Sequence, residues 1–319
     1  MKKIIKSILI TCTLLFIVSQ ILINSASILD SVTFALDIWK DKLFPSLFPF
    51  FVISSLLINY GFVEFVSEVF KPFMTIFFRT SGNSSFIFIM SIISGIPSNA
   101  KYINDLLDKK MIDINEAEKL LMFTHFSNPL FILGTVGILF FNNYRIGLLI
   151  LGAHYISNII IGICVRNYHP IDSNISFSLK KAIIDMDNKR TSSETFGKVL
   201  TKALLDAINT LMLILGVITF FLIITTIINS QMNLNPLAKS IISGLFEMTQ
   251  GLSFISTLDI SMKVKIILAT MIISFGGFSC HMQVISILSE KKIRYLPYLV
   301  SRIIHALLSG IIIYIYLTL

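Results

Sequence analysis

The chain has 319 residues and is too apolar for a soluble protein of that length. Hydrophobic residues make up 55% of it and charged residues only 14%, and the mean hydropathy is +0.83. Because a soluble domain carries about 25% charged residues, this composition indicates a membrane protein. The formal net charge of +8 does not call for a nucleic-acid partner, since lysine and arginine mark the cytoplasmic side of membrane proteins.

The first quarter of the chain predicts two spans and an interfacial helix. Three lysines precede the apolar run Ile8–Ile23, as in a secretory signal peptide. The run is long for that role and the chain beyond it is equally apolar, so we expect an uncleaved span over Ile4–Ile23. Ser27–Lys42 mixes charged and apolar residues and predicts an amphipathic helix whose tryptophan lies at the headgroups. Phe44–Tyr60 predicts the second span.

The next segment, Gly61–Lys101, predicts a hairpin that dips into the membrane. Two half-length apolar stretches, Val63–Phe78 and Phe86–Ile93, flank a turn at Arg79–Ser85. Neither stretch reaches the roughly 20 residues that a spanning helix needs. A re-entrant hairpin is tolerated where protein or a water-filled cavity covers its backbone.

The middle of the chain alternates polar and apolar stretches. Asn104–Glu118 is polar and is expected at the surface, whereas Ala117–Phe141 predicts a span interrupted at Thr124–Pro129. Ile146–Val165 predicts the return across the membrane. Arg166–Lys202, called the central segment below, is hydrophilic and basic and is therefore expected in the cytoplasm.

The second half repeats this organisation. Leu204–Ile228 and Tyr298–Leu317 predict spans, and Asn235–Leu258 predicts a second hairpin around Glu247. The expected domains are a first half at 1–166 with a hairpin at about 61–101, a cytoplasmic loop at 167–202, and a second half at 203–319 with a hairpin at about 235–283.

Two segments that interrupt apolar runs resemble each other. One is Ser94–Lys101 and the other is Gly276–Gln283, and a shift of 182 residues lays Gly95–Lys110 over Gly277–Lys292 without a gap. Polar interruptions at corresponding places of two halves are the best sequence indication of a transporter's binding site.

The predicted crossings make the two halves inverted repeats. Three crossings separate the two motifs, so equivalent segments enter the membrane from opposite sides. This arrangement places Lys291, Lys292 and Arg294 on the outer face, against the tendency of basic residues to lie inside.

The interruptions supply the candidate substrate-binding residues. A broken helix exposes amide donors and the positive end of its dipole, which attract carboxylate or phosphate. Lys101 adds a full charge, His281 can change its charge near neutral pH, and a buried Glu247 is a functional candidate because an acid is costly in a membrane. The candidates are Ser94, Gly95, Pro97, Ser98, Asn99, Lys101, Asn128, Glu247, Gly276, Gly277, Ser279, His281 and Gln283.

Simpler roles compete with these assignments. Lys101 can snorkel to the interface or pair with Asp105 one helical turn on. His281 can be a neutral, hydrogen-bonded packing residue, the glycine pair can serve close helix packing, and Asn128-Pro129 can be a structural kink. The other histidines, His125 and His305 among them, receive no role.

No enzyme activity is expected, because the chain lacks a phosphate-binding loop, an HExxH pair and a Gly-x-Ser-x-Gly elbow. Its three cysteines show neither disulfide nor zinc spacing, so no metal or cofactor is expected. The expected partners are a small anionic substrate, the lipid bilayer and a coupling ion, proton or sodium. Nucleic acid is not expected, and the oligomeric state stays open, a homo-oligomer included.

Four motifs together resemble the YlbJ family of sporulation integral membrane proteins, which are built on a nucleoside-recognition (Gate) domain. They are Pro45–Phe51, Ser94–Lys101, Ser127–Pro129 and Gly276–Gln283, and they follow one another in the family's order. Ile96 stands where the family pattern has an aromatic residue and Asn99 where it has glycine.

The resemblance implies a fold and a function. The family looks like a relative of concentrative nucleoside transporters, which have two inverted repeats with re-entrant helical hairpins. Its members are associated with moving dipicolinic acid across the outer forespore membrane. A small organic anion, dipicolinate in a spore-former, is therefore the leading expectation. A nucleoside or other metabolite, or a non-transporting factor in spore envelope assembly, are the alternatives.

Overall fold

The structure is a computed structural model that describes residues 2–171, 178–191 and 195–319. The described part is helical, with no strand among its elements, which confirms the predicted all-α class. The α-helices are α1 (Lys2–Ile23), α2 (Ser25–Ile38), α3 (Phe44–Asn59), α4 (Phe62–Phe73), α5 (Ser84–Ser94), α6 (Ser98–Asp108), α7 (Ile114–Phe123), α8 (Tyr144–Cys164), α9 (Leu179–Thr191), α10 (Phe196–Gln231), α11 (Pro236–Phe246), α12 (Met248–Thr257), α13 (Met262–Phe275), α14 (Gly277–Ile287) and α15 (Tyr295–Tyr316). Three π-helical segments are Trp39–Leu43, Met74–Phe78 and Phe131–Phe140.

Six helical runs of the described chain are long and apolar enough to cross a membrane, so the chain is a multi-pass membrane protein. The runs are Ile4–Ile23, Ser25–Asn59, Tyr144–Cys164, Phe196–Gln231, Met262–Ile287 and Tyr295–Tyr316. Shorter helices fill the space between them, because half-length apolar stretches cannot span alone.

The helix expected at the interface instead joins the helical bundle. Helix α2 continues through Trp39–Leu43 into α3 without a break. The Trp39 Nε1 donates a hydrogen bond to the Leu211 carbonyl oxygen of α10 at 2.8 Å, and the Ser31 hydroxyl lies 2.6 Å from that of Thr226. The tryptophan is thus bound to protein, since its N–H finds a buried acceptor there.

The segment expected at the surface, Asn104–Glu118, is exposed at Asp108–Lys110 and Asp113–Asn115, but its last residues, Glu116–Glu118, are buried. Helix α7 buries two carboxylates together with Lys119. The Lys119 ammonium donates to the carbonyl oxygens of Arg79, at 3.0 Å, and Arg166, at 2.7 Å. Burial of the polar side is possible because each charged group has a partner in a neighbouring loop.

One face of the molecule carries the start of the central segment. There, Glu118 accepts hydrogen bonds from the Arg294 guanidinium, at 2.9 Å from Nε and 2.6 Å from NH2, and from the Tyr168 hydroxyl. Burial and the bond to Glu118 raise the pKa of the Tyr168 phenol to about 12. Lys291 pairs with Asp108. These contacts place the α14–α15 connection on the central-segment face and correct its expected position on the outer face.

The central segment also contains structure. Helix α9 lies along α4, and Gly61 at the start of α4 packs closely on the Met186 backbone. The Lys181 ammonium lies 3.5 Å from the Glu68 carboxylate. Helix α10 begins at Phe196, so its first turns extend the following span into the region expected as loop.

Candidate functional site

The first helical hairpin consists of α5 and α6, with the motif Ser94–Lys101 at its tip. The rings of Phe86 and Tyr102 lie 5.7 Å apart, and the Tyr102 hydroxyl donates to the Ser94 hydroxyl at 2.9 Å, so the two helices run antiparallel. Gly95 turns the chain with φ of +78°, a conformation that glycine adopts without strain. The base of this hairpin lies on the central-segment face, beside Lys291.

The second hairpin consists of α11 and α12, with Glu247 at its tip. Gly244 and Gly251 pack backbone to backbone, and the Lys239 ammonium lies 5.4 Å from the centre of the Phe254 ring. The Glu247 carboxylate accepts a hydrogen bond from the Gln250 amide at 2.8 Å and so caps α12. The next helix begins where Lys263 meets Thr318 at the end of α15, which places this hairpin's base on the opposite face.

Two further helices are interrupted between the hairpin tips. Residues 124–128 separate α7 from the π-helical segment Phe131–Phe140, as the interruption at Thr124–Pro129 predicts. Gly276 and Gly277, with φ of +89° and +69°, separate α13 from α14. Since Met262–Ile287 forms one spanning run, the second motif lies within a crossing helix and not at a hairpin tip.

The four interruptions form a row in space, in which each contacts the next. The order is the first hairpin tip, residues 124–128, Gly276–Gly277 and the second hairpin tip. Gly95 packs on Asn128 so closely that a Cβ would lie 2.3 Å from the Asn128 nitrogen, and the Asn128 side-chain amide donates to the Ser94 carbonyl oxygen at 3.1 Å. A Cβ on Gly276 would lie 2.7 Å from the His125 Nε2, and one on Gly277 3.1 Å from the Met248 nitrogen. These glycines permit contacts that any side chain would obstruct.

The interruptions line one cavity of about 500 Å³, called the central cavity below. All four of them contribute to its wall, with Pro97 from the first hairpin tip, Ser127 and Asn128, Glu247 and Thr249, and Cys280 and Gln283. Charged side chains also line it, namely Asp37 of α2 and Asp41 and Lys42 of the π-helical segment that follows. Helices α2, α3 and α10 complete the wall with mostly apolar side chains. Apolar walls with a few convergent polar groups are typical of small-molecule sites.

Several buried polar atoms beside this cavity have no hydrogen-bond partner among the described residues. They are the hydroxyl oxygens of Ser98, Ser127 and Ser279, both amide atoms of Asn99, and the Nε2 of His125. An unpaired buried donor or acceptor costs about 1–3 kcal/mol. Their concentration at the interruptions indicates where polar groups of a ligand would be accommodated.

The predicted site residues divide into three groups. Pro97, Asn128, Glu247 and Gln283 line the central cavity. Ser94, Gly95, Gly276 and Gly277 form the interruptions themselves, and Ser98, Asn99 and Ser279 are buried just behind them. The structure therefore brings eleven of the thirteen candidates together.

Lys101 and His281 lie outside the central cavity. The Lys101 ammonium pairs with the Asp105 carboxylate at 3.0 Å and lines a different cavity. The His281 Nε2 donates to the Phe275 carbonyl oxygen at 3.0 Å, so its Nδ1 accepts from the Tyr295 hydroxyl at 2.8 Å. Both arrangements match the simpler roles, an ion pair one helical turn on and a neutral packing histidine.

A buried cluster of basic side chains behind the second interruption escapes the sequence argument. The Arg302 guanidinium is fully buried and donates to His305 Nδ1 at 2.8 Å and to the Met122 carbonyl oxygen. Within the described part of the chain its bonded partners are neutral. An ionisable residue inside an apolar span indicates function by itself, and this signal was available at Arg302.

The neighbouring His154 connects two interruptions. Its Nε2 accepts a hydrogen bond from the Ser127 amide at 2.9 Å, so its Nδ1 donates to the Ser274 hydroxyl, also at 2.9 Å. Ser274 is the penultimate residue of α13, just before the break. The His305 Nε2 donates to the His154 carbonyl oxygen at 2.9 Å, which completes a network from Arg302 to the site.

The fold and this site define a multi-pass helical membrane protein with interrupted helices around a buried cavity. A family model described as nucleoside recognition (Gate) matches residues 41–144. The sporulation integral membrane protein YlbJ of Bacillus subtilis strain 168 is 32% identical over 333 aligned positions, which cover 96% of this chain and 82% of that relative. The chain belongs to this family of sporulation membrane proteins. No solved structure matches it.

Proposed function

We propose that the chain is a secondary transporter of a small organic anion, most directly dipicolinate during sporulation. The observation that carries the proposal is the central cavity, at which the four interruptions meet and beside which several buried polar atoms have no partner among the described residues. Non-helical backbone at membrane depth is tolerated where it lines such a cavity. Transporters place their substrate sites at discontinuous helices of this kind.

The geometry also supports two inverted repeats, with a correspondence that differs from the 182-residue shift. The hairpin α5–α6 enters from the central-segment face and α11–α12 from the opposite face. Each is followed by an interrupted crossing helix and then by an uninterrupted one, α8 or α15. This order supports a fold like that of concentrative nucleoside transporters.

The chemistry of the cavity suits a planar anion. Helices α6 and α14 begin at its wall, and their first amides carry partial positive charge. The side-chain amides of Asn128 and Gln283 add donors. A cavity of about 500 Å³ lies in the range of about 300–1,000 Å³ of small-molecule sites. Glu247, Asp37 and Asp41 oppose an anion by charge and Lys42 attracts it, so a proton or sodium ion carried along would offset the remaining repulsion.

Uptake by purified protein in liposomes tests the proposal. We expect dipicolinate uptake, and we expect Asn128→Ala and Gln283→Ala to reduce it because each removes a donor from the cavity wall. Gln231→Ala is the matched control, since its amide bonds Gln20 at the far end of α10 at 2.7 Å. Equal uptake in all four proteins would contradict the assigned site.

A nucleoside is the second candidate, favoured by the family model that describes residues 41–144 as nucleoside recognition. Competition separates the two substrates. Stronger inhibition of uptake by nucleosides than by unlabelled dipicolinate would replace the anion with a nucleoside. Absence of uptake of either would favour the third alternative, a membrane factor in spore envelope assembly.

A further inference from the structure

A second cavity, of about 700 Å³, lies beyond the central one and is strongly polar. It is called the charged cavity below. Its walls carry the side chains of Lys101, Asp105, Asp108, Lys109, Lys202, Asp206 and Glu290. Asn59 and Lys109, which bond each other at 2.8 Å, and Asp108, which pairs with Lys291, place it towards the central-segment face.

Three helices line both cavities. Helix α3 contributes Leu47 to the central cavity and Ser55 to the charged one, α10 contributes Ile214 and Thr210 respectively, and α14 contributes Gln283 and Ser286. Helix α6 lines only the charged cavity, but Pro97, which directly precedes it, lines the central one. The two cavities therefore follow each other along one axis.

The central cavity extends in the other direction. Leu139 and Phe140, at the end of the π-helical segment Phe131–Phe140, belong to its wall. They precede the Asn142–Tyr144 turn, which lies at the start of α8 on the face opposite to the central segment. The two cavities thus point to opposite faces of the membrane.

A thin layer of buried residues separates the cavities. On α3 and α10 the intervening residues are Phe51 and Leu211, both fully buried and in one apolar cluster. On α6 the layer contains Asn99, whose amide is fully buried and has no partner among the described residues. On α14 it contains Val284, which is 2% exposed. An unpaired amide in an otherwise apolar layer has no packing purpose.

We infer that the charged cavity is the second vestibule of the translocation pathway and that Phe51, Asn99, Leu211 and Val284 form the closed barrier between it and the central cavity. Asn99 contacts the substrate in transit, because its free donor and acceptor are the polar groups within the barrier. The inference rests on the proposed transport function for its purpose, but its geometry does not depend on the substrate.

The charges on the wall of the charged cavity favour transient passage of a ligand over tight binding. Lysines and carboxylates alternate on its wall, and Lys101 is already paired with Asp105. Neither an anion nor a cation meets a field of a single sign there. A pathway requires binding that is favourable enough for a ligand to enter and weak enough for it to leave.

Thiol labelling in sealed vesicles of known orientation tests the pathway. In a background without Cys12, Cys164 and Cys280, the last of which lines the central cavity, we expect a membrane-impermeant thiol reagent to modify Thr210→Cys from the central-segment face alone. We expect Thr135→Cys, in the central cavity, to react from the opposite face alone. Ile208→Cys is the matched control on α10, since its exposed side chain faces away from both cavities and into lipid.

A variant that opens the barrier provides the second part of the labelling experiment. We expect Leu211→Ala, or Phe51→Leu if the first variant fails to fold, to make Thr135→Cys reactive from the central-segment face as well. Labelling of both cysteines from the same face in the parent protein would overturn the pathway, and so would unchanged labelling in a folded barrier variant. Correct labelling without anion uptake would reject the proposed substrate and leave the pathway standing.

Discussion

At the scale of single residues, glycines decide whether the interruptions can meet. Gly95, Gly276 and Gly277 have positive φ and lie against backbone or ring atoms of another segment. The sequence marks all three as helix breakers, but their spacing gives no information on which segment each would touch. That depends on contacts across more than 30 residues of chain.

Replacing Gly95 tests this local requirement. We expect Gly95→Ala to lower the thermal stability of the purified protein, because its φ of +78° costs an L-residue about 1–3 kcal/mol and a Cβ would meet Asn128 at 2.3 Å. Gly152→Ala in α8 is the control, with no atom within 4 Å of its Cβ. It should be neutral or stabilising by about 0.5–1 kcal/mol. Equal melting temperatures for the two variants would contradict the packing.

The structure gives the buried Arg302 its partners, which the sequence does not. Removal of its guanidinium leaves His305 and the Met122 carbonyl oxygen without a donor, at about 1–3 kcal/mol for each unpaired group. We therefore expect Arg302→Gln to lower the melting temperature markedly. Arg302→Lys, which keeps the charge, should lose less.

The control for this comparison is Arg145→Gln, since Arg145 is exposed at the start of α8. Melting followed by intrinsic fluorescence in detergent measures all three variants. If Arg302→Gln and Arg145→Gln have the same melting temperature, the Arg302 guanidinium does not stabilise the network.

At the scale of elements, hydropathy predicts where the helices lie better than it predicts which helices pack against each other. Five of the six long apolar runs coincide with predicted spans, whereas Met262–Ile287 is expected within the second hairpin and the span expected over Ala117–Phe141 is divided into shorter helices. The turn at 79–83 and the break at 124–128 lie where the sequence places them. The first hairpin is shifted. Its two helices are Ser84–Ser94 and Ser98–Asp108, whereas α4, which the sequence places in the hairpin, packs mainly against α9. Amphipathicity alone does not predict that neighbour.

The repeat of the two glycine motifs illustrates the same limit. Similar residues at Ser94–Lys101 and Gly276–Gln283 mark a break in both copies, but one break reverses the chain and the other lets it continue. The difference arises from the packing of the helix after each break, since α6 packs back on α5 through Tyr102 whereas α14 packs on other helices. A local motif does not contain that information.

The clamp between Glu118 and Arg294 joins α7 to the α14–α15 connection. We expect Glu118→Gln and Arg294→Gln each to lower thermal stability, and their double variant to lose less than the sum, because both remove one interaction. Asp259→Asn, an exposed carboxylate on the other face, serves as the control. Additive losses in the double-mutant cycle would show that the two groups act independently.

At the scale of the whole molecule, the contacts settle which connections share a face. Arg294 with Glu118 and Lys291 with Asp108 place these basic residues beside the central segment. The distribution of basic residues thereby follows the positive-inside tendency, which the predicted topology violates at this point.

Single cysteines check this topology. In a background without Cys12, Cys164 and Cys280, we expect Lys292→Cys to react with an impermeant thiol reagent from the same side as Asn167→Cys, and Asn143→Cys to react from the other side. All three positions are exposed. Reaction of Lys292→Cys and Asn143→Cys from one side would restore the predicted topology.

The sequence by itself determines that the protein lies in a membrane, that it is helical and where its helices break. Composition and hydropathy are sums over residues, and a break follows from the local chemistry of glycine, proline and asparagine. The tertiary structure alone decides that four breaks share a cavity, that Lys101 and His281 lie outside it, and that Arg302 lies behind it. Those facts depend on packing between segments far apart in the chain, which is a property of the whole fold.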